Sequence, residues 1–164
     1  MQIDLTIDEN AWRTELPDVE KITEQALEKT RQHPEITEVL NGQAHSEVSI
    51  TLSDNDFIQN LNKEYRGKNK PTNVLSFPLT DADDPAPGIE LVCFGDIILA
   101  YETVKQESQD QKKSFRDHYM HLLVHGFLHL LHYDHENEDD AEIMEQLEAE
   151  ILQKLDIENP YERT

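Results

Sequence analysis

The 164-residue chain contains a single cysteine, Cys93, which sits inside an apolar run. No internal disulfide is possible, and a reducing, intracellular setting fits that usage best. Long apolar runs are also missing. None approaches the ~20 residues that cross a bilayer. The opening MQIDLTIDENAWRTELP has no basic start followed by an apolar block. Neither a membrane span nor a signal peptide is expected, and the sequence reads as cytoplasmic. Basic residues are scarce: 14 Lys and Arg stand against 35 Asp and Glu, for a net charge of −21. That balance argues against gripping nucleic acid with the whole surface. Repeats, linkers and a second domain are absent too. Residues 1–164 therefore read as one domain, long enough to bury a core unaided.

The few cations are unevenly placed. Lys63, Arg66, Lys68 and Lys70 share one window, offset only by Glu64. An isolated cluster of this kind is ordinarily a solvated loop. Its alternative is a local anion site on an otherwise repelling body.

Periodicity predicts strands at 2–7 and 47–52, where polar and apolar residues alternate, and at NVLSFPL (73–79) and ELVCFGDIIL (90–99). Within the last, Gly95 marks a bulge or a close approach. Pro17 opens a helix to about Gln32. Ser53 or Asp54 caps a second, ended by Gly67, with Phe57, Ile58 and Leu61 on one face. The acidic, proline-rich TDADDPAPG (80–88) is the flexible loop. A last helix, about 138–155, carries a core stripe of Ile143, Leu147, Ile151 and Leu155, with its acids facing solvent. The expected architecture is α+β (an α/β layer): a small mixed four-stranded sheet packed with about five helices.

The densest signal is histidine, six residues in the eighteen from His118 to His135. With His118 to Leu131 helical, His118, His121, His125, His129 and His132 share one face. A solvated polar face explains one or two of them, but poorly explains a stripe bordered by Leu, Val, Phe and Met. An i, i+4 pair puts two imidazoles one turn apart, close enough to share an ion; His125 with His129 fits, and so does His121 with His125. A third ligand has to arrive from another direction, which requires the helix to end near His132 and the chain to turn back.

Alignment with the zinc-protease pattern HExxHxxGxxH places ligands at His125, His129 and His135. The pattern's glutamate becomes Gly126, and its glycine becomes His132. The first change removes the base that activates water for peptide hydrolysis. The second is tolerable because histidine is enriched at positive φ. The preferred metal site thus lies on a C-terminal helix and the turn after it, with His132 as turn or supporting residue. Three histidines leave one coordination position open, the catalytic arrangement.

These residues resemble a known family. HGFLHLLHYDH closely matches the HGxLHLxGYDH signature of the YbeY endoribonucleases. YRGKNKPTNVLSFP and FGDIIL match further blocks in the same order, and the likeness is strong from about Asn60 onward. The resemblance implies a single-domain, zinc-dependent bacterial endoribonuclease of single-strand type. Its work would be ribosomal RNA maturation, at the 16S rRNA 3′ end, and ribosome quality control. It implies one Zn2+ per chain on His125, His129 and His135, with Arg66 the functional arginine. Implied partners are ribosomal RNA and the small ribosomal subunit, with ribosomal proteins or an assembly GTPase, and the chain is expected to be monomeric. The chain departs from the signature at His132, where the family usually has glycine.

Under this reading Arg66, helped by Lys68 or Lys70, offers a planar fork to the scissile phosphate. An exposed ion pair is the competing role for Arg66. Asp134 is expected to support a ligand imidazole. Ser76 and Asp96 suit backbone support as well as chemistry, and His118 and His121 are expected to line the cleft. Competing functions are a zinc peptidase-like metallohydrolase, which Gly126 opposes, and a non-enzymatic ribosome assembly factor stabilised by zinc.

Overall fold

A computed structural model describes residues 1–41, 45–87 and 91–162. Gly88 and Glu90, which end the quoted loop and begin the fourth quoted strand, lie outside the described residues. The elements run β1 (Gln2–Ile7), α1 (Ala11–Glu15), α2 (Val19–Gln32), α3 (Pro34–Leu40), β2 (Ser46–Ser53), α4 (Asn55–Arg66), β3 (Val74–Pro78), β4 (Val92–Ala100), α5 (Tyr101–Asp110), α6 (Phe115–Leu130) and α7 (Glu138–Gln153). The sheet order is β1-β2-β4-β3, with β1, β2 and β4 parallel and β3 antiparallel to β4. This is the α+β fold with a four-stranded mixed sheet that the periodicity predicts.

Seven helices occur among the described residues, where about five are expected. The additions are the short α1 and α3. Pro34 opens α3, and the His33 ring accepts from the Glu35 backbone N–H at its start. Helix α2 ends at Gln32 as expected but begins at Val19, after Asp18, so Pro17 precedes the helix rather than opening it. Asp54 caps α4 by accepting from the Phe57 N–H at 2.8 Å, and Gly67 ends it at φ 69°. Gly95 is a true close approach: at φ 137°, a Cβ there would stand 2.2 Å from the Phe77 carbonyl oxygen.

β2 and β4 are the central strands, and residues such as Ile50, Ile97 and Leu99 are fully buried. Helix α6 lies against β3 and β4 and is flanked by α2, α5 and α7. These neighbours bury most of the helix, including Leu122, Leu123, Val124, Phe127, Leu128 and Leu130, and leave His125 and His129 partly accessible. Trp12, wholly enclosed, packs edge-on against Tyr101, Phe115 and Tyr119 and donates to the Ser53 carbonyl at 2.9 Å.

Three expectations about helix faces need correction. Phe57 and Ile143, assigned to apolar stripes, are exposed, while Ile58, Met144, Leu147 and Ile151 are buried. The acidic face of α7 is not wholly solvent-facing, because Glu148 has no exposed surface. The α7 stripe is rotated from the predicted one so that Met144, Glu148 and Leu152 face inward with Leu147 and Ile151. Among the described residues, no helix is long and apolar enough to cross a membrane.

Candidate metal centre

Helix α6 is set by its two ends. Ser114 caps the first turn by accepting from the Asp117 N–H at 3.0 Å. At the other end, the His132 N–H bonds to the His129 carbonyl at 2.9 Å, and the Tyr133 N–H to the Leu128 carbonyl at 3.0 Å. This bond pair is the Schellman motif, which needs a left-handed residue at its centre. His132 supplies it at φ 72°. Its ring stays engaged, with Nε2 3.0 Å from the Thr80 hydroxyl. The reversal carries His135 back over the helix end, toward His125 and His129.

One ligand atom from each of His125, His129 and His135 lies within 4.8 Å of the others, a spacing that could hold a metal ion. Hydrogen bonds settle which nitrogens face inward. His129 Nδ1 is 2.9 Å from the Tyr133 carbonyl, and His125 Nδ1 is bonded to a Glu148 carboxylate oxygen. Both partners accept, so each Nδ1 carries a proton. In the neutral rings, Nε2 then holds a lone pair. Those two Nε2 atoms converge to 3.0 Å. Two facing lone pairs repel in the absence of a shared cation or proton, so the donor set fits a metal ion. Burial lowers the His129 pKa to about 4, helped by the charges of His125 and His135. The ring is thereby kept in the neutral form that a metal needs.

Glu148 has no counterpart among the residues singled out from sequence. It reaches from α7 and contacts His125 with one oxygen. The other oxygen takes the Tyr161 hydroxyl and lies 3.6 Å from His121 Nε2. Burial is the largest influence on its carboxyl and raises the pKa. Hydrogen bonds from His121 and His125, the charge of His125 and the Tyr161 hydroxyl outweigh it and bring the value to about 2. The carboxylate is therefore charged and fully enclosed. Its only sequence signal was an acid falling between the apolar positions of α7.

The three histidines open onto a cleft of about 950 Å³, also lined by Arg66, Ser76, His132, Asp134 and Glu136. Arg66 arrives at the last turn of α4, held by the Gly67 cap. Among the described residues no hydrogen bond or ion pair engages its guanidinium. The competing ion-pair role is thus not seen. Lys63, Lys68 and Lys70 do not line the cleft; the Lys68 and Lys70 backbones close the loop after α4, bonded to Asn62. Asp134 accepts from the His135 N–H at 2.7 Å and so shapes the turn. The Ser76 hydroxyl bonds the Gly126 carbonyl at 3.0 Å, while Asp96 does not line the cleft.

His118 and His121 do not line it either. His118 is buried, with Nε2 2.8 Å from a Glu107 oxygen, and Glu107 also accepts from the Asn73 amide at 2.9 Å. His121 turns toward Glu148 and Tyr161. The helix face carrying them is covered by α5 and α7 rather than left open, which is why the stripe divides between two polar clusters.

Fold and site together define a small α+β protein whose three-histidine, metal-ligand geometry opens onto a cleft bearing one free arginine. A family model described as Endoribonuclease YbeY matches residues 6–156, and the chain belongs to that family. Curated relatives named Endoribonuclease YbeY include one from Bartonella henselae, 43% identical, covering 97% of this chain and 96% of its own. Another, from Rhizobium etli, is 56% identical over 117 residues, or 71% of this chain and 67% of its own. The solution structure of TM1509 from Thermotoga maritima matches with a TM-score of 0.55 at 23% identity. It covers 99% of this chain and all of that one, a likeness of fold.

Proposed function

We propose that this chain, as a single domain spanning 1–164, is a zinc-dependent endoribonuclease of single-strand type. Its role would be ribosomal RNA maturation, at the 16S rRNA 3′ end, and ribosome quality control in the cytoplasm. The observation that carries the reading is the pair of Nε2 lone pairs converging to 3.0 Å beside His135, in the cleft that Arg66 also lines. One Zn2+ per chain would be held by His125, His129 and His135. Membership of the endoribonuclease family supports RNA as the substrate. A ribosome-related role goes with that membership, and the partners would be the small subunit, and ribosomal proteins or an assembly GTPase, met by a monomer.

When bound, zinc supplies Lewis acidity at the scissile phosphate and to water. Arg66 donates its fork to phosphate oxygens and stabilises charge developing there. Asp134 and His132 fix the turn that presents His135. Lys68, outside the cleft, is left the lesser role of attracting the strand.

A peptidase reading gains nothing from the site. A Cβ at Gly126 would lie 3.0 Å from Ile97 Cγ2 and 3.1 Å from the Ser76 hydroxyl, so a side chain there would have to push both aside before it could serve as a base. Glu148 is committed to the outer nitrogen of His125 and has no exposed surface.

The test gives zinc-loaded protein structured ribosomal RNA and, separately, casein. RNA cleavage should fall by ~10²- to 10³-fold in Arg66→Ala, the usual loss for one transition-state donor, with zinc content unchanged. Cleavage by Arg66→Ala at the parental rate would refute the phosphate role, and casein hydrolysis would favour the peptidase. Zinc binding with neither activity would favour the assembly factor.

A further inference from the structure

We propose that Glu148 is the positioning residue of the metal centre, and that the C-terminal segment takes part through Tyr161. The inference rests on the metal reading above and deepens it.

A carboxylate without exposed surface is costly to bury unless its oxygens are satisfied. Here both are. One bonds His125 Nδ1, and the other bonds the Tyr161 hydroxyl and faces His121 at 3.6 Å. Nothing else in the interior of α7 is charged: the buried residues beside it are Met144, Leu147, Ile151 and Leu152. A leucine or methionine would pack there without the desolvation penalty. The position therefore makes sense through what the carboxylate does to His125.

It does two things. As an acceptor, it keeps the proton of His125 on Nδ1, leaving Nε2 aimed at His129 and His135 with its lone pair free. As a charge, it increases the basicity of that ring toward a cation. His129 has a weaker counterpart, the neutral Tyr133 carbonyl. The two helical ligands are thus oriented by different devices, and the stronger one belongs to His125.

Tyr161 closes the arrangement from outside. Beyond α7 the chain turns back, with the Tyr161 N–H bonded to Asn159 Oδ1 at 2.9 Å. Its ring stacks edge-on against His121, at 5.7 Å and 87°. Its hydroxyl supplies the donor that the second Glu148 oxygen needs.

The experiment compares the full chain with Glu148→Leu, Glu148→Gln and Tyr161→Phe, using Zn2+ alone as probe. Zinc affinity is measured by chelator competition, and histidine ring tautomers of the metal-free proteins by 15N spectra. Glu148→Leu should bind zinc ~10- to 100-fold more weakly and lose the fixed Nδ1–H form of His125. Glu148→Gln, which retains an acceptor, should keep that tautomer and recover part of the affinity. Tyr161→Phe should lose about fivefold, one hydrogen bond's worth. A folded Glu148→Leu with parental affinity and an unchanged His125 tautomer would overturn the proposal. If Glu148→Leu does not fold, parental affinity in both Glu148→Gln and Tyr161→Phe overturns it instead. If the parent chain binds no zinc, the metal reading fails, and the tautomer comparison still decides Glu148's positioning role.

Discussion

The Ser76 hydroxyl donates to the Gly126 carbonyl at 3.0 Å and lies 3.1 Å from where a Cβ on Gly126 would stand. That contact gives the glycine a packing reason. Residue 126 faces the sheet, and its missing side chain lets α6 settle onto β3 and β4. Ile97 Cγ2 closes the remaining space at 3.0 Å. A residue that zinc proteases use for chemistry is here occupied by the close approach of a helix to a strand.

Gly126→Ala should therefore destabilise the protein. Overpacking costs about 1–3 kcal/mol, and the helix propensity of alanine returns about 1 kcal/mol. A net loss of about 1 kcal/mol corresponds to a melting temperature lower by ~2–4 °C. Thermal unfolding followed by circular dichroism checks this. An unchanged or higher midpoint would show that Ile97 and Ser76 move aside freely.

The turn after α6 makes a separate prediction. His132 stands at φ 72° and bonds Thr80, whereas His135 contributes to the three-nitrogen group. His135→Ala should lose most bound zinc on gel filtration, and His132→Ala should retain it. The opposite pattern of metal content would place the third ligand at 132 and refute the turn as described.

Most of this site was legible because its signals are local. The i, i+4 spacing of His125 and His129, the six-residue step to His135 and histidine's tolerance of positive φ are all properties of one short stretch. The strands were legible for the same reason, since β1 alternates and β4 runs apolar at the sheet centre. What escaped depends on distant partners. Glu148 looks like any other acid on α7 until Tyr161 and His125 are brought to it. His118 looks like cleft lining until Glu107, from α5, covers it. Helices α1 and α3, of five and seven residues, are too short to establish a period. Pro34 was the one available sign of α3.

The His118 cluster gives a pH dependence. Burial, the largest influence on Glu107, raises its carboxyl pKa, but hydrogen bonds from His118 and Asn73 bring it below the ordinary 4.5. A depressed carboxyl stabilises the fold above its unfolded-state value and loses that contribution as pH falls through the folded value. The parent chain should thus lose melting temperature on acidification below the ordinary carboxyl range more steeply than Glu107→Gln, which has no proton to take up there. Parallel profiles for the two proteins would remove Glu107 as a source of acid sensitivity.

Metal removal should be visible without any substrate. An ion bound only by the folded chain adds RT ln(1 + [L]/Kd), about 2.7 kcal/mol at a hundredfold excess over Kd. For a chain of this size that corresponds to roughly 5–10 °C of melting temperature. Zinc-loaded protein should melt higher than the same protein in chelator by about that amount. His129→Ala should abolish the difference, because it removes one of the two converging Nε2 atoms. The comparison is internally controlled: a chelator effect on the fold at large would persist in His129→Ala, whereas loss of a specific ion would not. Coincident melting of the loaded and stripped parent protein would sink the three-histidine site as a metal centre.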